Sequence, residues 1–178
     1  MVEMKSEPYT ITFGIIGAGR IGKLHADNLL SHVKGAKLKT VTDPFLDEEW
    51  AASRNIPVTG KDHRIMLDDP EIDAILIGSP SPEHAAQMIE CARAGKHIFC
   101  EKPIALDPDI IRNALAEVEK SGVKLQVGFN RRFDPNFAAV QQQVASGALG
   151  DPHIISITSR DPAPPPAEYV ASSGGLFM

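Results

Sequence analysis

The chain has 178 residues, 43% of them apolar, and a formal net charge of -5. That length accommodates one domain and the start of a second. The negative balance argues against a nucleic-acid partner, whose phosphates require clustered Lys and Arg. Residues 1–8 are polar and lack the apolar core of a signal peptide, and no run approaches membrane-spanning length. Cys91 and Cys100 read as reduced, packed thiols. A cytoplasmic protein with no membrane partner and no metal is expected.

Residues 10–16 form an apolar, β-branched run with the character of a buried strand. It breaks at Gly17-Ala18-Gly19-Arg20-Ile21-Gly22, a G-x-G-x-x-G, and helical spacing follows at once. Ala26, Leu29, Leu30 and Val33 lie at i, i+3, i+4 and i+7, and Gly35 closes the helix. Between strand and helix this pattern points to a dinucleotide. Gly17 permits the tight turn, Gly19 the approach of backbone to a pyrophosphate, and Gly22 close packing of helix on strand. The N–H groups at the helix start, around Arg20 and Ile21, suit the phosphates. Residues 36–43 read as a second strand. Asp43, 21 residues beyond Gly22, stands where a carboxylate accepts the ribose hydroxyls of NAD and repels the extra phosphate of NADP. The other reading of Asp43 is a cap on the next turn, and the two can coexist.

Alternation continues. A short helix is expected over 46–55, a strand over 56–59, a helical turn over 62–67 and a buried strand over 73–78. Ser79 and Pro80 follow in a loop; Ser81 can cap the next helix with Pro82 in its first turn. Ala85, Met88, Ile89 and Ala92 form that helix's apolar stripe, ended by Gly95. Residues 96–100 are the next strand, leading into Glu101-Lys102-Pro103. Asp107-Pro108 opens a helix stopped at Gly122, 124–129 is a strand, and Asp134-Pro135 opens a helix ending near Gly147. A last strand is expected over 153–159, before a proline-rich loop. Strands alternating with such helices imply βαβ units and a parallel sheet, with ligands beyond the strands' C-terminal ends.

G-I-I-G-A-G-R-I-G-K-L-H at 14–25, G-S-P-S-P-E-H at 78–84, E-K-P at 101–103 and G-F-N-R-R-F-D-P at 128–135 resemble the Gfo/Idh/MocA oxidoreductase family. S-R-D-P-A-P-P at 159–165 and S-S-G-G-L-F-M at 172–178 resemble its bacterial inositol 2-dehydrogenases most. The resemblance implies an α/β, Rossmann-type doubly wound parallel sheet over 8–128 and, over 129–178, the incomplete start of a second, α+β substrate domain. It implies NAD as cofactor, hydride transfer from a ring hydroxyl of a polyol or sugar, and a homo-oligomer, dimer or tetramer. Lys102 would lie beside the reacting hydroxyl and the nicotinamide, with a cis peptide before Pro103. Glu101 would contact the cofactor ribose or pair with Lys102, and Ser79 and Pro80 would border the cofactor. His84 either lies near the nicotinamide or merely occupies the first turn of a helix. Arg131 is a candidate for orienting a hydroxylated ligand or for an interdomain ion pair, and Asp161 for lining the polyol pocket. In relatives an Asp followed four residues later by a His, the usual base, comes just after this stretch; neither is present, so the chain is expected to be part of a longer protein. The alternatives are a non-catalytic dinucleotide-binding module and a dehydrogenase of another sugar.

Overall fold

The structure is a computed structural model that describes residues 10–160, 163–165 and 170. The chain divides into two units, one ending at Val127 and the other beginning at Gly128. In the first, strands β1 (Ile11–Ile16), β2 (Ala36–Thr42), β3 (Val58–Gly60), β4 (Ala74–Ile77), β5 (His97–Cys100) and β6 (Leu125–Val127) form one sheet. They alternate with helices α1 (Arg20–Ser31), α2 (Glu48–Ser53), α3 (Arg64–Leu67), α4 (His84–Arg93) and α5 (Pro108–Ser121). Every pairing is parallel, in the order β3-β2-β1-β4-β5-β6. The chain steps outward from β1 one way and from β4 the other. The loops leaving these two neighbours therefore diverge, opening a crevice at the C-terminal edge. The expected doubly wound α/β sheet is present.

Successive side chains of a strand point to opposite faces. Ile15, Val41 and Leu76 pack with Ala26 and Leu29 of α1 and Ala51 of α2. Ile16, Ile75 and Ile77 pack on the other face with Met88, Cys91 and Ala92 of α4 and with Ala114 and Val118 of α5. Both faces are covered, which is why these strands are continuous apolar runs in the sequence.

Caps set the helix boundaries. Asp107 accepts the N–H of Asp109 at 2.7 Å and Gly122 closes α5 at φ 68°. Asp47 caps α2, accepting the N–H of Trp50 at 3.0 Å and the ammonium of Lys23 at 2.7 Å. The Lys23 bond, then that N–H, hold its carboxyl below the usual carboxylate range. The same lysine lies 5.0 Å from the centre of the Trp50 ring. Ser81 does not cap as expected. Residues Ser81–Glu83 form a 3-10 turn ahead of α4 in which Glu83 N–H donates to Pro80 O at 2.9 Å, so backbone supplies the acceptor the hydroxyl would have offered.

Cys91 and Cys100 are free and buried, and burial pushes both thiols up to about 12. Thiolate is the reactive form, so at pH 8 a disulfide reagent should label neither cysteine in the folded chain and both in denaturant. The unfolded thiols ionise from about pH 9 while the folded ones stay neutral, so stability falls as pH rises from there toward 12. A thermal-melt series over that window checks the sign.

The second unit begins with a 3-10 turn (Asn130–Phe133) and α6 (Pro135–Ala145), capped by Asp134 through the N–H groups of Asn136 and Phe137. The strand expected over 153–159 is absent. A strand needs a neighbour to take its backbone hydrogen bonds, and these residues pair with none among the described residues; Ile154, Ile155 and Ile157 are 76–90% exposed.

Candidate dinucleotide site

Gly17 turns the chain out of β1 at φ 92°, its N–H bonded to Thr42 O at 2.8 Å. Gly19 is the N-cap of α1. No side chain caps this helix and its first turn holds no acidic residue. Its first N–H groups and the positive end of its dipole are thus uncompensated. A Cβ built on Gly19 would meet nothing within 4 Å. The backbone is bare and approachable where a pyrophosphate has to come closest. Gly22 is the opposite case: its Cβ would lie 1.9 Å from Gly17 O.

Asp43 caps its own turn, one of the two roles read from the sequence, and adds a tie to the glycine loop. Its Oδ1 accepts the N–H of Phe45 and its Oδ2 the N–H of Ala18, each at 2.7 Å. The first bond caps its own turn; the second ties β2 to the glycine loop. A carboxylate has about four acceptor positions, so half remain for ribose hydroxyls. Two clefts, of about 470 and 300 Å³, share Gly17, Asp43, Ser79 and Pro80; the smaller also reaches Gly19, Arg20 and Ile21. Together they offer the room a nucleotide needs. The larger is walled by residues not singled out from the sequence, among them Phe45, Lys61 and His63. Phe45 is 94% exposed. An aromatic just after an Asp-Pro turn at a strand end was the available signal.

At the end of β5, Glu101 does not pair with the Lys102 ammonium. Its Oε1 lies 2.8 Å from His25 Nε2 on α1, and its Oε2 accepts the Lys102 backbone N–H at 3.3 Å. The His25 ring stands edge-on to Phe99, 5.2 Å between centres. His25 thus links α1 to Glu101. The Lys102 side chain is exposed and its ammonium has no partner among the described residues; the Lys102–Pro103 peptide is cis, as the resemblance implied. His84 is 2% exposed, with Nδ1 2.7 Å from Pro103 O and Nε2 2.8 Å from Ser79 O. His84 opens the first turn of α4, the second of the two readings, and both its ring nitrogens are engaged in a tie between two loops. Ser79 Oγ donates to Gln87 Oε1 at 2.6 Å. In the second unit, the Arg131 guanidinium lies 5.4 Å over the Phe137 ring and borders a separate cleft with Arg132 and Gln141. Asp161 lies outside the described residues.

Residues 11–129 match the family described as "Oxidoreductase family, NAD-binding Rossmann fold" (GFO_IDH_MocA). The chain is 52% identical over 170 residues to an uncharacterized oxidoreductase, YrbE, of Bacillus subtilis, covering 94% of this chain and 50% of that one. It is 42% identical over 167 residues to a myo-inositol 2-dehydrogenase of Thermotoga maritima, covering 93% and 50%. The crystal structure of a probable dehydrogenase from Thermotoga maritima superposes with a TM-score of 0.90 at 41% identity, over 94% of this chain and 50% of that one. The chain spans about half the length of the curated relatives it matches. On that family match, which spans more than half of its residues, the chain belongs to the Gfo/Idh/MocA oxidoreductase family and carries its NAD-binding Rossmann fold.

Proposed function

We propose that the protein is an NAD-dependent dehydrogenase oxidising a ring hydroxyl of a cyclic polyol, with myo-inositol, converted to its 2-keto form, as the leading substrate. The observation that carries this reading is the Lys102 ammonium, exposed and without a partner among the described residues, on the same sheet edge as the start of α1 and Asp43. The inositol dehydrogenases among its relatives support the polyol class. When bound, NAD supplies the nicotinamide carbon that takes the hydride. The residues of this chain supply cofactor binding, orientation and charge stabilisation. Gly19 and the first turn of α1 hold the phosphates; Asp43 uses its two remaining acceptor positions on ribose hydroxyls; Ser79 and Pro80 border the crevice. Glu101, held by His25, faces the second ribose. Lys102 donates a hydrogen bond to the reacting oxygen and stabilises the negative charge that builds there as its proton passes to the base, which in relatives is the His of the D-x-x-x-H segment. Arg131 and Asp161 belong to the substrate side in this reading, and the assembly is a cytoplasmic homo-oligomer.

Titration with NADH, and an NAD reduction assay with myo-inositol on a form that also carries the D-x-x-x-H segment of relatives, test it. Lys102→Met should lower kcat by roughly 10²–10⁴, the scale of one acid–base group, and leave NADH affinity within about threefold. Full turnover by that variant removes Lys102 from the chemistry. NADH binding without turnover on any polyol or sugar assigns a dinucleotide-binding module instead.

A further inference from the structure

We propose that His84 is a positioning residue, a buried imidazolium that donates from both ring nitrogens and so locks the loop after β4 to the loop that carries Lys102. Its two partners, Ser79 O and Pro103 O, are backbone carbonyls at 2.8 and 2.7 Å. Carbonyl oxygens only accept. A neutral imidazole has one N–H and one lone pair, in either tautomer. It would satisfy one carbonyl and press a lone pair against the other at hydrogen-bond distance. The doubly protonated ring satisfies both. At 2% exposure the ring has almost no access to solvent that could separate it from either oxygen. Burying a cation is costly, and two charge-assisted hydrogen bonds are what offset it.

Position gives the strap its consequence. Ser79 follows β4 and Pro103 follows Lys102, so the bonded carbonyls belong to the two loops on the β4–β5 side of the crevice. The glycine loop and Asp43 lie on the β1–β2 side and are held by their own bonds. In a dinucleotide laid across the switch point, the two halves then depend on different supports. His84 supports the Lys102 half alone. This rests on the dehydrogenase reading for the role of Lys102, but not for the state of the ring.

The test labels the 178-residue chain with ¹⁵N-histidine and records its ring nitrogens at neutral pH. Two protonated-type signals for His84, assigned by their loss in His84→Gln, are expected. A lone-pair-type nitrogen on His84 overturns the proposal, and this measurement on the unmodified chain stands even if the variant does not fold. In folded His84→Gln, whose single amide cannot donate along both ring directions, NADH affinity should fall at least tenfold while ADP affinity stays within twofold. An equal loss for both ligands, or none for either, removes the positioning role. If the unmodified chain binds neither ligand, the dinucleotide reading fails, and the ring signals still decide whether His84 donates twice.

Discussion

Gly22→Ala should lower the melting temperature by roughly 6–12 °C and abolish dinucleotide binding. The added Cβ would lie 1.9 Å from Gly17 O and 2.9 Å from Gly17 C, and both are backbone atoms that cannot rotate away. Nor can Gly17 retreat: its N–H is bonded to Thr42 O at 2.8 Å, and a Cβ built on it would already lie 2.6 Å from Ser79 N and 2.7 Å from Gly78 C. The helix has to move off the strand instead, which breaks the contacts of Ala26 and Leu29 with Ile15 and Val41. Overpacking of this kind costs about 3 kcal/mol, and each kcal/mol shifts the midpoint by about 2–4 °C in a chain this size. Gly19→Ala is the contrasting case. Its Cβ would meet no protein atom and its φ of -68° suits any residue, so the midpoint should stay within about 2 °C while binding is lost, because the methyl occupies the ligand's approach. Melts and NADH titrations of the two variants separate a glycine needed for the fold from one needed for the ligand. Equal melting temperatures would refute the packing account of Gly22.

Asp43→Ser should narrow the preference for NADH over NADPH by about 1–3 kcal/mol, roughly 5- to 150-fold, by removing a like charge and a charge-assisted acceptor. The structure adds a second effect. The Ala18 N–H bonded to Oδ2 belongs to a residue only 7% exposed, and a buried donor left without a partner costs about 1–3 kcal/mol. A serine oxygen on its shorter stem cannot replace both carboxylate oxygens, so the glycine loop loosens and affinity for both dinucleotides falls together. Asp43→Asn keeps one oxygen to accept from Ala18 and should preserve more stability than serine does. Titrating both cofactors against each variant separates the ratio, which reports charge, from the shared loss, which reports the loop. An unchanged ratio would place cofactor selection elsewhere.

The fold was legible because its signals are local. Apolar runs of strand length, a G-x-G-x-x-G before a helical stripe, and Asp-Pro pairs each fix their own few residues, and the parallel order follows from their alternation. Glu101 and Lys102 were legible as a motif at a strand end, but their partners were not. His25 and Glu101 are 76 residues apart, and His84 reaches Pro103 across 19. Lys96, just before β5, is buried with its ammonium on the carbonyls of Asp69 and Ile72. Contacts of this kind exist only once the sheet has brought distant segments together. The strand expected over 153–159 failed for the same reason in reverse: alternation of Ile and polar residues encodes a face, but not the neighbour that face requires.

Trp50, which sits beneath the Lys23 ammonium, is the chain's single tryptophan. It lies on α2, directly after the Asp43–Phe45 turn that walls the larger cleft. Reduced nicotinamide absorbs in the range where indole emits, so the fold carries one built-in optical donor, on the helix that follows the Asp43 turn in sequence. Any quenching by bound NADH comes from one fluorophore at one separation, and occupancy of the crevice can be followed without a label.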